Sequence, residues 1–374
     1  MLARLVAFNT TSGNSNLPLA DFLADYLDRP NVRIRRNPSA DTSKANLIVE
    51  IGPAGNGSRA GLVLSGHMDV VPAGEPEWES DPFTLTARDG KLFGRGACDM
   101  KGFLAIATNL AHSCDPGALR APLVLLFTYD EELGLLGAKR FAETWGDVAT
   151  LPRSTVVGEP TRLEVVRAHK GFGNVRITVR GVSAHSGYPH LGKSAIEPAG
   201  RVIGALAALR QELEQERPAH ADDFPDVPFV SLNVGRVVGG TATNVIPDVC
   251  VIELSARPLP HMTWTEVLRR VHGAVVGVAE SDSVAVEEMT SNPGLLLDRK
   301  APIYRALMEA TGQARDRSVC YATDAGWLQE AGFDCAVYGP GDIAVAHKPN
   351  EFVPVDELDA AREVVERLIT RFCR

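Results

Sequence analysis

The feature that most constrains this chain is a short apolar run that ends in metal-ligand chemistry and then recurs. Leu62-Val63-Leu64 stops at Ser65-Gly66, and His67 and Asp69 follow at once in GLVLSGHMDVVP, Gly61 to Pro72. The run is too short for a helix and lacks polar alternation, so it predicts a strand buried on both faces. Pro122 to Tyr129, PLVLLFTY, repeats the pattern and ends in Asp130-Glu131-Glu132. Ser154 to Gly158, STVVG, ends in Glu159-Pro160, and CAVYG, Cys335 to Gly339, leads into the loop that carries His347. Helix-like stretches are interleaved with these runs, at about 101–112, 137–145, 300–311, 324–331 and 356–372. Strands alternating with helices predict an α/β domain with a mostly parallel sheet and helices on both faces.

In an open α/β sheet, ligands bind at the carboxyl ends of the strands. His67 and Asp69 are one residue apart, and on extended backbone alternate side chains share a side. Asp69 is therefore expected behind the His67 ring, accepting its second N–H and fixing its tautomer. Asp99 lies just before the helix predicted at Lys101 to His112. His67, Asp99, Glu132, Glu159 and His347 exceed what one tetrahedral zinc needs. Shared between two ions they make sense, with Asp99 bridging and each ion taking one His and one Glu. Such mixed nitrogen and oxygen donors suit two Zn²⁺ per chain, with Co²⁺ or Mn²⁺ also fitting.

Glu131 is the acid left over. Adjacent residues do not present their side chains in the same way, so one of Glu131 and Glu132 can bind metal while the other takes a proton from metal-bound water. That pairing suits hydrolysis of an unreactive amide. No G-x-S-x-G sequence offers a serine nucleophile. Gly94-x-Gly96 is not a dinucleotide loop, because Asp99 stands where the third glycine belongs and a hairpin precedes it, with Asp89-Gly90 as its turn.

The texture changes near Phe172. GNVRITVRGVSAHSG alternates with period two, a helix follows at about Ala195–Glu216, two more strands lie in FVSLNVGRVVGG and VCVIELSARPL, and a helix is expected from Trp264 to Ala279 before SVAVEEM. This β-α-β-β-α-β order predicts an inserted α+β, ferredoxin-like domain over 172–289, with 1–171 and 290–374 forming the catalytic domain.

The net charge of −9 argues against a nucleic-acid partner. No apolar run approaches a membrane span and the start lacks a long apolar signal core, so a cytoplasmic protein without membrane attachment is expected. The six cysteines are scattered without a C-x-x-C pair and read as reduced thiols; Cys98 beside Asp99 has no assigned role. Asn56-Gly57-Ser58 matches the glycosylation pattern but reads as a turn.

These motifs, together with the Trp78 to Leu85 run, GRGACDMKG, RAHKG, SAHSG, GGTATNVIPD, ARPLP and GPGDIAVAHKPNEFV, resemble the di-zinc aminoacylase and carboxypeptidase superfamily over nearly the whole chain. RAHKG and the Gly339 to Glu351 stretch resemble its acetylornithine deacetylases more than its succinyl-diaminopimelate desuccinylases. The resemblance implies hydrolysis of N2-acetyl-L-ornithine to ornithine and acetate, for arginine synthesis. Succinyl-diaminopimelate or another N-acyl-L-amino acid stands as the alternative small-molecule substrate. It makes His67, Asp99, Glu132, Glu159 and His347 the zinc ligands, Glu131 the general base and Asp69 the carboxylate behind His67. It implies a cis Asp99-Met100 peptide. It makes the inserted domain a lid and dimerisation domain of a homodimer. His185 in SAHSG then stabilises the oxyanion from the neighbouring subunit, and Asn244 and Arg257 hold the substrate carboxylate. Ala322-Thr323-Asp324-Ala325 departs from the Thr-Glu-Ala of many relatives.

Overall fold

The computed structural model describes residues 1–55, 57, 59–278 and 283–374. Asn56 and Ser58 of the glycosylation-like triplet, and Ala279 at the expected end of one helix, lie outside the described residues. The chain divides into two compact units, one of Met1–Ala168, Leu295–Arg317 and Thr323–Arg374, the other of His169–Gly294 with Ser318–Ala322.

In the first unit a mixed sheet carries neighbouring strands in the order Val32–Pro38, Ala45–Ile51, Leu123–Thr128, Leu62–His67, Ser154–Val157, Asp334–Val337. Leu62–His67 runs parallel to both its neighbours, and Asp334–Val337 continues the parallel run. The register sets His67 beside Thr128, Ser65 beside Val157, and Val157 beside Val337. The four strands therefore end along one edge. Every residue of Leu62–His67, Leu123–Thr128 and Ser154–Val157 is buried, so both faces are covered and the sequence shows unbroken apolar runs. Each fully buried Leu or Val contributes about 1.5–3 kcal/mol relative to exposure. The helices Gly102–Ser113 and Val355–Cys373 pack on each other and on Leu62–His67.

Thr86–Arg88 and Lys91–Phe93 form the expected hairpin, with Asp89 and Gly90 both at positive φ (50° and 71°) as a two-residue turn demands. A third strand was not legible in the sequence. Phe352–Pro354 pairs antiparallel with Lys91–Phe93, Phe352 opposite Phe93. Three residues are too few to show a period. The helix expected from Lys101 begins at Gly102, and Ala97–Lys101 before it is irregular. Asp99 and Met100 have non-helical angles there, and the peptide between them is cis.

The second unit is an antiparallel sheet in the order Ser231–Gly239, Val249–Arg257, Phe172–Arg180, Val284–Asn292, with helices Ile196–Gln215 and Trp264–Val276. Chain order and strand order together are those of a ferredoxin-like α+β fold. Burial alternates along Phe172–Arg180 and Val249–Arg257, as it does for a sheet with one packed face and one open face. A capping box at Thr263 and Glu266 starts the second helix. No helix among the described residues is long and apolar enough to cross a membrane.

Candidate metal centre

His67 closes its strand with the ring buried and both nitrogens engaged. Nε2 lies 2.9 Å from Asp99 Oδ1. Nδ1 lies 3.0 Å from the Asp69 carbonyl oxygen and 3.6 Å from its carboxylate. The carbonyl, at hydrogen-bond distance, sets the tautomer; the carboxylate at 3.6 Å adds only charge. The Asp69 carboxylate instead accepts the backbone N–H groups of Glu131 at 3.0 Å and Glu132 at 3.2 Å, and the Ser12 hydroxyl at 2.8 Å. Asp69 thus holds the turn that presents both glutamates, a use the two-residue spacing from His67 did not disclose. Asp130 turns into a buried ion pair with Lys44 and leaves the cluster.

Asp99 stands between the two imidazoles. Its Oδ1 faces His67, and its Oδ2 lies 3.4 Å from His347 Nε2, which is also 2.9 Å from Glu132 Oε1. His67, Asp99 and Glu159 present donor atoms within 4.8 Å of one another, and so do Asp99, Glu132 and His347; His67, Glu131 and Glu132 form a third such group. The five expected ligands and Glu131 are therefore brought together, with Asp99 common to two groups.

The electrostatics call for positive charge. Burial, and then the charges of Glu159, Glu132 and Asp324, push the Glu131 carboxyl well above the usual carboxylate range despite His67. Burial and the neighbouring Asp99 do the same to Glu159, and burial raises Glu132. Burial would also raise Asp99, but hydrogen bonds from His347 and His67 hold it low. Hydrogen bonds to Asp99 and Glu132 raise His347 to about 10. Glu159 Oε1 is buried without a hydrogen-bond partner among the described residues. Carboxylates outnumbering imidazoles, with an orphaned oxygen among them, fit two divalent cations.

Residues 63–371 match the sequence profile of Peptidase family M20/M25/M40. The chain belongs to this family. As an M20 member it is 38% identical to an acetylornithine deacetylase of Myxococcus xanthus, over 100% of this chain and 96% of that one. It is 36% identical to an acetylornithine deacetylase of Shigella sonnei, over 96% of this chain and 92% of the other. A family M20 metallo-carboxypeptidase from Sulfolobus solfataricus shares the fold at a TM-score of 0.78 and 15% identity, covering 99% of this chain and 98% of that chain. A dinuclear metal-binding peptidase of the same family from Bacillus subtilis does so at 0.67 and 17%, covering 99% and 97%.

The remaining expected site residues of this M20 chain lie in the second unit. His185 is exposed, and its Nδ1 accepts the Gly187 N–H at 3.0 Å, so the proton of the neutral ring sits on Nε2. Asn244 is exposed, and its carbonyl accepts the Ser186 N–H at 2.9 Å, which ties the two segments together. Arg257 is half-buried with its guanidinium 4.8 Å from the Phe172 ring, and no acidic partner meets it among the described residues. Three residues of the first unit were not singled out for a role from sequence. Ser12 holds Asp69. Asp324 is buried, accepts the Thr128 hydroxyl at 2.5 Å, and is pushed up to about 6 by burial. Glu351 accepts the N–H groups of Cys98 and Asp99. Cys98 itself is a buried thiol whose pKa burial drives up, so it is inert.

Proposed function

We propose that this chain is a metal-dependent amidohydrolase that removes acetate from N2-acetyl-L-ornithine, in the cytoplasm and as a homodimer. The observation that carries the reading is a single buried carboxylate, Asp99, shared by two groups of donors, with an uncommitted carboxylate beside them. His67 and Glu159 with Asp99 would hold one Zn²⁺, and Glu132 and His347 with Asp99 the other. Two such cations supply Lewis-acid polarisation of the amide carbonyl and acidify water. Glu131, with its backbone fixed by Asp69, takes the proton of the attacking water on its carboxylate and delivers it to the departing amine. His185 Nε2–H donates to the oxyanion of the tetrahedral intermediate. Arg257, a cation without an acidic partner among the described residues, and Asn244 bind the substrate α-carboxylate. The substrate assignment is supported by the two acetylornithine deacetylases aligned above, which match over almost all of the chain. The homodimer is supported by the edge strand Ser231–Gly239, which exposes Val237 and Val238 and has one side unpaired among the described residues. The cytoplasmic location is supported by cysteines that are all free.

The test is turnover by Zn²⁺-loaded protein of acetylornithine, succinyl-diaminopimelate and a panel of acetylated amino acids. Acetylornithine is expected to give the highest kcat/KM. Preference for the succinyl substrate would move the assignment to a desuccinylase, and no turnover of any amide would remove the activity.

A further inference from the structure

Glu351 is a carboxylate that the chemistry above leaves without a task, yet it is 1% exposed and both its oxygens are engaged. Oε1 accepts the backbone N–H of Cys98 at 2.9 Å and of Asp99 at 3.0 Å. Oε2 accepts from Arg95 Nη1 at 2.8 Å. Arg95, also 1% exposed, donates in addition to the carbonyls of Lys348 at 3.2 Å and Pro72 at 2.9 Å. Strand pairing brings Glu351 there. Phe352 lies opposite Phe93, and the Gly94 N–H donates to the Glu351 carbonyl at 3.0 Å, so the chain entering this strand runs alongside Gly94 to Asp99. Four residues earlier the same segment carries His347. One stretch therefore supplies an imidazole to the cluster and grips the backbone of the carboxylate standing between the two imidazoles.

We propose that Glu351 is a positioning residue of the metal centre, fixing the Asp99 backbone so that its two oxygens stay aimed at two cations while the His347 segment is tied to the same point. The inference rests on the two-cation reading above. The need for such a grip lies in the local backbone. Asp99 sits in an irregular stretch after Gly96, which has a φ of 78°, and its angles are not helical. No regular helix or sheet ladder takes up the N–H groups of Cys98 and Asp99; Glu351 does. Without it two buried donors are orphaned and the bridging carboxylate loses its anchor.

The experiment uses the full chain, stripped of metal and titrated calorimetrically with Zn²⁺. Wild type is expected to show two binding events. Glu351→Gln keeps the volume but offers an NH₂ where an acceptor is needed, and both events are expected to weaken by about 10–100-fold, the usual cost of losing a group that orients a ligand. In the Co²⁺-loaded variant the visible absorption bands shift. Asp316→Asn, which disturbs a different set of contacts to Arg167, Arg299 and Tyr304, is expected to lower Tm while leaving both affinities at the wild-type value. Arg95→Lys, which leaves the Oε1 contacts in place, is expected to weaken binding less than Glu351→Gln; the reverse order would overturn the assignment. Should Glu351→Gln lower Tm but bind both ions as tightly as wild type, its role is merely structural and this inference alone fails. Should wild type take up no divalent ion, the metal reading itself fails and takes this inference with it.

Discussion

The two units hold their candidate site residues in opposite ways. In the first, the imidazoles and aspartates of the cluster already have protein partners, while Glu159 Oε1 has none among the described residues. His67 is held on both ring nitrogens, Asp69 accepts three hydrogen bonds, and Asp99 meets two imidazoles and is gripped through its backbone by Glu351. In the second, the atoms proposed to meet substrate are free among the described residues. His185 and Asn244 are exposed, and Arg257 has an aromatic ring beside it but no acid among the described residues. A centre that must hold ions at fixed separation gains from rigidity set before binding. Groups that must receive a substrate gain from polar atoms left unpaired until it arrives. The difference predicts that changes in the first unit act on metal and chemistry, and changes in the second on the substrate and its oxyanion without touching the metal.

The largest effect tests the first half. Stripping divalent ions with a chelator should abolish activity, and Zn²⁺ or Co²⁺ should restore it. The His67, Asp99 and Glu159 group is wholly buried, whereas His347 is exposed, so the ions should return in order, the buried position first. Elemental analysis of a fully active, metal-free preparation would sink the reading, and simultaneous loading with equal affinity would erase the predicted difference between the positions.

Next in size is the pair Glu131 and Glu132. Glu131→Gln is expected to lose about 10²–10⁴ in kcat while keeping both metals, because a base is removed and not a ligand. Glu132→Gln should lose metal from the position it shares with His347. Two variants with the same metal content and the same kcat would show that the roles are not divided.

The second unit gives a smaller and different response. Arg257→Ala should lower kcat/KM for acetylornithine by about 1.5–3 kcal/mol, roughly ten- to a hundredfold, the worth of hydrogen bonds to a charged group. Metal content should stay at two. An acetylated amine without a carboxylate should be an equally poor substrate for wild type and variant. Loss of metal in Arg257→Ala would break the division between the units.

The division also marks what the sequence could disclose. The strands that end at the cluster were legible because burial on both faces leaves unbroken apolar runs, and their parallel order follows from the helices between them. The donors were legible because each follows such a run or starts the next helix. What was not legible depends on contacts between distant segments. The pairing of Phe352–Pro354 with Lys91–Phe93 sets where Glu351 goes, and no three-residue strand announces its partner. The Asp69 carboxylate was expected on His67 and lies chiefly on the Glu131 and Glu132 backbone, because the Asp69 carbonyl reaches the ring first. His185, Asn244 and Arg257 came from resemblance and not from spacing. Their second-unit positions carry no apolar run ending in a donor, so pattern alone had nothing to read.

The smallest predicted effect probes how far the tightly bonded side extends. Ser12 lies in the N-terminal NTTSGNSN stretch, far in sequence from every other residue of the centre, and its hydroxyl donates to Asp69 Oδ2 at 2.8 Å. Its backbone N–H donates separately to the Val70 carbonyl at 2.9 Å, so Ser12→Ala should leave the segment in place and remove the bond to Asp69 together with the hydroxyl's longer 3.3 Å contact to the Val70 carbonyl. Asp69 then keeps the Glu131 and Glu132 N–H groups but loses the donor that shares Oδ2 with Glu132. One hydrogen bond of this kind is worth about 1 kcal/mol, so kcat should fall roughly fivefold. KM and metal content should be unchanged, because neither the substrate groups nor the ligands are touched. Asp69→Asn should be far more damaging, since an amide placed there turns a donor toward backbone donors. A Ser12→Ala enzyme that loses metal would mean the serine supports the ions directly. One with wild-type kcat would mean the two backbone N–H groups suffice to hold Asp69, and the rigid region ends one residue short of Ser12.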